Sequence, residues 1–361
     1  MADKKLSNIQ IVIAAVVIIA IIAIIGIFVL DNNGSSDASV TPTPAPSGAT
    51  PVATISPNAY TIRYSVGTDA AIARANDVPY YGTELGYFTN VKPVYTSAGA
   101  GAAVTAALVG GSLDFAMVNY LTLTRAISKG ADLVAVAVYH GSGGSNFDWY
   151  VLKDSGINGP ADLKGKKVAF VTGSSSELFM KLYLAKAGLT LNDIVQVNVP
   201  TGSEIVALKT KQVDAVFIVG SDWDKARMLE TGVAKHLFSQ TEVTPPKLFH
   251  CGLVTTKKFL AEHPNEAKEF IDGYVRAADW ERDNPEEAIE LTVKLNKALG
   301  YPELEPYIRN LTDSDIADHS MVADSDIQWF IDQLVATGEL KPGQVTPAQE
   351  YTNEYNPYYN K

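Results

Sequence analysis

One cysteine, Cys251, is all the thiol chemistry in this chain of 361 residues. That scarcity excludes an intrachain disulfide and a cysteine-built zinc cluster. The setting of Cys251, L-F-H-C-G-L-V, is apolar and fits a small buried side chain better than a reactive thiol. Basic residues are also in short supply: 29 Lys and Arg against 40 Asp and Glu give a formal net charge of -11. Nucleic acid is therefore disfavoured as a partner, because neutralising phosphates takes a basic face. The five histidines are scattered, and the chain contains no H-E-x-x-H, G-x-S-x-G, G-x-x-x-x-G-K-[ST] or G-x-G-x-x-G. The common signatures of metalloproteases, serine hydrolases, nucleotide-phosphate loops and dinucleotide folds are thus missing.

What is present begins with a long apolar run. Ile11 to Leu30 carries no charge and no proline, and its length suits one helical crossing of a bilayer. Lys4 and Lys5 precede it, while Asp31 and Asp37 are the first charges after it. The positive-inside rule then puts residues 1–10 in the cytoplasm, a transmembrane anchor at 11–30 and the remainder outside. A cleaved signal peptide is the competing reading. The run is long for one, no A-x-A-like site follows it, and no nearby cysteine offers a lipid attachment point. Residues 31–58 are rich in Thr, Pro and Ser and carry too little apolar surface to fold, which reads as a disordered stalk. Asn33 (N-G-S) and Asn310 (N-L-T) match the glycosylation acceptor pattern, which chance supplies in many chains.

From Tyr60 onward short β-like runs alternate with helical ones, the mark of an α/β protein. Two segments repeat one design. V-K-P-V-Y followed by T-S-A-G-A-G-A-A-V-T-A-A-L-V-G-G-S-L-D-F-A-M-V-N matches V-Q-V-N-V-P-T-G-S-E-I-V-A-L-K-T-K-Q-V-D-A-V-F-I-V-G. Each runs strand, small-residue turn, short helix, polar turn, aspartate, strand. Asp114 and Asp214 fall at equivalent places, and we read them as strand-entry residues that bind local backbone N–H groups. Two such units imply two similar lobes. A later strand-like run, K-L-F-H-C-G-L-V-T-T, returns the chain before a helix-rich tail. Two crossings between lobes would make a hinge over a cleft, where small-molecule sites tend to lie.

These pieces carry a family resemblance. E-L-G-Y-F at Glu84–Phe88, A-A-L-V-G-G-S-L-D-F-A, and G-A-D-L-V-A-V-A-V-Y at Gly130–Tyr139 come first. I-N-G-P-A-D-L-K-G-K-K-V-A-F at Ile157–Phe170 and L-A-K-A-G-L-T at Leu184–Thr190 follow, then N-P-E-E-A at Asn284–Ala288 and W-F-I-D-Q-L-V-A-T-G-E-L at Trp329–Leu340. In this order and spacing the chain resembles the nitrate/sulfonate/taurine and thiamine-precursor binding proteins that feed ABC importers, of the periplasmic-binding-protein type II fold. The resemblance implies a first lobe from residues 59–142 and 250–361 and a second from 143–249. It further implies a monomeric ectodomain that closes on a small ligand, is recognised by a permease subunit, uses no cofactor and catalyses nothing.

Within that frame the stretch F-V-T-G-S-S-S-E-L-F, Phe170 to Phe179, lies at a strand's carboxyl end before a helix. Ser174 and Glu177 fit an S-x-x-E capping box. Thr172, Ser175 and Ser176 remain beside backbone N–H groups at the positive end of a helix, an anion site without a cation. Ser203 in T-G-S-E, and Ser97 and Gly99 in T-S-A-G, repeat the design. Further ligand candidates are Thr68, Asp69, Asn119, Tyr120, Asp222, Trp223, His140 and Trp149. For the tryptophans packing competes with stacking on a ligand, and for His140 a structural role competes with binding. Arg63, Arg74 and Arg125 are not obviously placed to clamp an anion, and Asp69 and Asp222 would oppose one. Two ligand classes stay open: a sulfonate- or nitrate-like anion, and a neutral or zwitterionic ring. Other functions on the same fold are a membrane-anchored sensor or surface domain, and a pyrimidine-synthase-like enzyme. The enzyme reading lacks the cysteine-rich segment it needs. The tyrosine-rich tail N-E-Y-N-P-Y-Y-N-K suggests no mechanism.

Overall fold

The computed structural model describes residues 54–66, 78–98, 101–138, 147–170, 172–199, 203–219, 228–230, 232–309 and 316–359. The expected anchor at 11–30, most of the stalk, Asn33 and Asn310 lie outside these residues. Among the described residues no helix is long and apolar enough to cross a membrane.

Two five-stranded sheets organise the described chain. The first contains β1 (Tyr60–Ser65), β2 (Val91–Tyr95), β3 (Phe115–Asn119), β4 (Leu133–Val138) and β10 (Cys251–Thr256), in the order β2-β1-β3-β10-β4. The second contains β5 (Phe147–Leu152), β6 (Lys167–Ala169), β7 (Val195–Val197), β8 (Ala215–Val219) and β9 (Ala234–Ser239), in the order β7-β6-β8-β5-β9. Position by position the orders match. In each, three parallel strands are followed by a fourth, β10 or β5, that runs antiparallel to both of its neighbours. Parallel neighbours need a crossover. Among the described helices α1 (Val78–Glu84) and α2 (Ala102–Val109) serve the first sheet, and α4 (Ser175–Ala185) and α5 (Glu204–Lys209) the second. α3 (Tyr120–Ile127) follows β3 directly.

Asp114 and Asp214 do hold equivalent places, but their partners are not local. The Asp114 carboxylate accepts from the Arg63 backbone N–H at 2.7 Å, and Asp114 N donates to Arg63 O at 2.8 Å. Asp214 does the same with Lys167, at 2.8 Å in both directions. Each aspartate therefore pins its strand to the parallel neighbour, where the ladder would otherwise leave an N–H unmatched. A turn-type reading missed this because the partner lies on another strand.

The long helix α7 (Pro264–Asp283), preceded by α6 (Lys257–Glu262), buries Phe270, Ile271, Tyr274 and Val275 against Ile62, Tyr64, Phe115 and Leu253 of the first sheet. Phe88 fills the space between α1 and α7. A Cβ on Gly273 would stand 2.2 Å from the Phe88 ring, and one on Gly82 2.6 Å from it. Glycine at both positions is what admits the ring.

The C-terminal region continues with α8 (Pro285–Ala298), α9 (Glu305–Ile308), α10 (Asp324–Ala336) and α11 (Pro347–Glu350). The tyrosine-rich tail acquires a role here. Tyr351 bridges to Ala135 of β4, and Thr352 N donates to Ala135 O at 2.9 Å. Tyr358 stacks on His319 with centroids 3.7 Å apart, and Asn356 Nδ2 donates to His319 O at 2.8 Å. The tail thus covers the outer edge of the first sheet, which would otherwise offer unpaired backbone groups.

Candidate ligand-binding site

The second sheet delivers the serine-rich turn to the carboxyl end of β6. Gly173 adopts a positive φ of 76°, which reverses the chain into α4. Ser174 is the N-cap: its Oγ accepts from Ser176 N at 3.1 Å and lies 2.6 Å from Ser176 Oγ. The expected capping box is displaced by one residue. Glu177 reaches Gly173 N at 2.8 Å, beyond the cap, and pairs with Lys181 at 2.9 Å. Two of the three serines are therefore engaged with each other.

Ser175 differs. It is 4% exposed, and its hydroxyl has no hydrogen-bond partner among the described residues. Burying a hydroxyl without a partner costs about 1–3 kcal/mol, and here it sits on the first residue of an eleven-residue helix. The first turn of a helix carries N–H groups without intrahelical acceptors and about half a positive charge. An oxygen-bearing anion would satisfy both features together.

A second buried hydroxyl without a partner belongs to Ser65, 0% exposed, at the carboxyl end of β1 in the first sheet. Sequence reasoning passed over it. The available signal was its place as the last strand residue before V-G-T-D, where a polar side chain has no reason to be buried unless something meets it.

The other candidates divide. Asn119 caps α3, its Oδ1 accepting from Leu121 N at 2.9 Å, and its Nδ2 points to Cys251 Sγ at 3.9 Å. Thr172 is exposed and its hydroxyl accepts from Gln196 Nε2. Ser97 is exposed beyond β2, and Ser203 precedes the six-residue α5 without a side-chain cap bond. Thr68, Asp69, Gly99, His140, Asp222 and Trp223 lie outside the described residues.

Two candidates turn inward. Trp149 is 0% exposed, stacked on Phe238 at 4.2 Å and 8° and against Phe217 at 4.8 Å. Its ring packs in the core of the second sheet, and its Nε1 has no hydrogen-bond partner among the described residues. Tyr120 is also fully buried, edge-on to Phe330 at 6.3 Å; its hydroxyl has no partner among the described residues, and burial drives its pKa well above the ordinary value. Alternation along β5, and the first turn of α3, put both side chains inward.

Of the three arginines weighed above, Arg74 lies outside the described residues and the other two are engaged. Arg63 pairs with Asp114 and donates to Gly111 O at 2.8 Å, so it belongs to the strand clamp. Arg125 binds Glu339 with two N–H groups at 2.9 Å each and donates to Gly173 O. Cys251 is buried, and desolvation raises its thiol pKa to about 12, partly offset by Asn119. It is a packing residue without thiolate reactivity at neutral pH. The arrangement offers hydroxyls and backbone amides to a ligand, without an activated nucleophile at the serine turn.

The sequence profile described as NMT1/THI5-like matches residues 78–288, more than half of the chain, and the chain belongs to that family. A putative binding protein of Brucella abortus (strain 2308) is 25% identical over 309 residues, covering 79% of this chain and 93% of that protein. A putative aliphatic sulfonates-binding protein of Escherichia coli (strain K12) is 32% identical over 212 residues, covering 56% of this chain and 61% of that protein. Among solved structures, the alkanesulfonate-binding protein of Xanthomonas axonopodis pv. citri, bound to MOPS, superposes with a TM-score of 0.62 at 20% identity. It covers 84% of this chain and 99% of that one. The fold is accordingly the α/β periplasmic-binding-protein type, built on two sheets with helices. The proteins it resembles are named for binding and not for catalysis.

Proposed function

We propose that this chain is an extracytoplasmic solute-binding protein that captures a small oxyanion of the sulfonate or nitrate type and hands it to the permease of an ABC importer. The ligand sits in a cleft between two lobes, one built on each sheet, with a hinge at the chain crossings. The apolar run Ile11–Leu30 tethers the monomeric ectodomain to the membrane through the stalk. The observation that carries the reading is the Ser175 hydroxyl, buried without a partner at the start of α4. The relatives named for sulfonates agree with it.

The packing of Trp149 favours the anion over the ring ligand. A ring ligand needs an aromatic face, and the face of Trp149 is already covered by Phe238. An anion needs only hydroxyls and amide dipoles. One helix end favours a negative charge by roughly 0.3–1 kcal/mol, up to ~2 when partly buried. Micromolar affinity requires about 8 kcal/mol, so closure of both sides over the ligand supplies the larger share.

The test is a thermal-shift series on residues 59–361 with ethanesulfonate, taurine, nitrate, sulfate and a hydroxymethylpyrimidine. A ligand at a hundred times its Kd stabilises by ~2.7 kcal/mol. A response to the sulfonates or nitrate is expected. A response to the pyrimidine alone, or to none of the five, rejects the reading.

A further inference from the structure

Arg125 sits in the last turn of α3, on the side of the first sheet, and Gly173 sits in the serine turn of the second. Between them runs a hydrogen bond from Arg125 Nη1 to Gly173 O, at 2.5 Å. The guanidinium is aimed by Glu339, whose two carboxylate oxygens accept from Nε and Nη2. Glu339 follows α10, which packs on α3, and Glu339 N is held by Leu334 O at 2.9 Å. The arginine and its carboxylate are thus fixed on one side and their free edge is spent on the other. A second link joins the same two sides: Tyr307 in α9 donates to Glu230, between β8 and β9, at 2.8 Å.

The Gly173 carbonyl is a consequential place to hold. In a trans peptide the carbonyl and the following N–H point in opposite directions. Fixing Gly173 O toward Arg125 therefore fixes the plane that carries Ser174 N and, one residue on, the direction of Ser175. The Gly173 N–H is pinned as well, by Glu177. The cation that an anion site would ordinarily place against its ligand is used here behind the turn.

We propose that Arg125 is a positioning residue of the binding site, reaching across from the first sheet to fix the serine turn, so that the turn is presented to an oxyanion only while the two sides are engaged. This rests on the reading of that turn as the anion site. A guanidinium suits the task because its planar fork satisfies a carboxylate and still donates to a carbonyl, which a lysine ammonium cannot match in geometry.

The experiment uses the full chain in detergent, with nitroxide labels at the exposed sites Lys129→Cys and Lys209→Cys, the buried Cys251 staying unlabelled. Interlabel distances are measured by pulsed electron resonance without ligand and with ethanesulfonate, beside calorimetric affinities. Arg125→Gln shifts the unliganded distances to longer values and weakens ethanesulfonate about tenfold, because the competent arrangement becomes a smaller fraction of the population. Arg125→Lys does not rescue it, and Glu339→Gln gives the same effect in weaker form. Unchanged distances in Arg125→Gln overturn the proposal. Shifted distances with unchanged affinity overturn it too, since Arg125 would then be a strap without influence on the site. Failure of the wild-type chain to bind ethanesulfonate counts against the proposed function and removes the positioning role with it, while the unliganded comparison still shows whether Arg125 holds the two sides together.

Discussion

Asp114 and Asp214 make the same hydrogen bond in two different sheets, each carboxylate accepting from the backbone N–H of the neighbouring parallel strand, Arg63 in one and Lys167 in the other. The correspondence extends to strand order, so the described chain repeats one α/β design in two sheets, each with an antiparallel fourth strand. Replacing either aspartate leaves a strand N–H unmatched. Asp114→Ala should cost about 2–4 kcal/mol, because the half-buried Arg63 guanidinium also loses its ion partner. Asp214→Ala, with the backbone bond alone, should cost about 1–2 kcal/mol. Urea unfolding of both variants checks the order, and equal costs would contradict it.

The serine turn predicts opposite signs for adjacent residues. Ser174→Ala removes the cap on α4 and should destabilise by about 1 kcal/mol. Ser175→Ala removes a buried hydroxyl that has no partner, so the ligand-free protein should keep or gain up to about 1 kcal/mol of stability. The same change should weaken oxyanion binding about tenfold. Thermal unfolding with and without ethanesulfonate separates the two effects.

Glu350 gives a pH signature. It is 0% exposed, its Oε2 accepts from Thr124 at 2.8 Å, and its Oε1 has no partner among the described residues. Burial raises its pKa from 4.5 to about 8. A carboxyl raised on folding holds its proton in the native state where the unfolded chain has lost it. Its contribution is therefore fully present below about pH 4.5 and is lost as pH rises toward 8. Asp326, raised from 3.8 to about 6 by burial, adds a loss of the same sign at lower pH. Glu350→Gln should flatten the stability profile between pH 5 and 8, by up to about 1.4 kcal/mol per pH unit. Denaturant midpoints across that range, with no change of slope in the variant, would contradict the assignment.

Gly273 tests the close approach of α7 to α1. An added Cβ meets the Phe88 ring at 2.2 Å, so Gly273→Ala should destabilise by about 1–3 kcal/mol despite alanine's better helix propensity. The double variant with Phe88→Leu should recover part of the loss. Circular dichroism melts of the single and double variants measure it.

The strand–helix alternation and the repeat around Asp114 and Asp214 were legible in the sequence, because apolar periodicity and turn chemistry are local. The serine turn was legible for the same reason. What lay beyond reach was set by partners distant in the chain. Asp114 reads as a turn residue until Arg63 is brought beside it. Tyr120 is a candidate for its place after the third strand, and for Trp149 beside the glycine-rich crossing packing competes with stacking; strand alternation and helix phase bury both. Ser65 had no local signal beyond being polar at a strand end. The tyrosine tail gained meaning only when β4 proved to be an edge strand that Tyr351 and Thr352 could cover.

Calorimetric titration of ethanesulfonate and nitrate into the wild-type protein and into Ser175→Leu tests the central claim most directly. The account predicts saturable 1:1 binding of at least one of these anions to the wild type, and none to a variant that melts within a few degrees of it. Undiminished binding by folded Ser175→Leu would contradict the claim that this hydroxyl, at the start of α4, marks where the ligand is held.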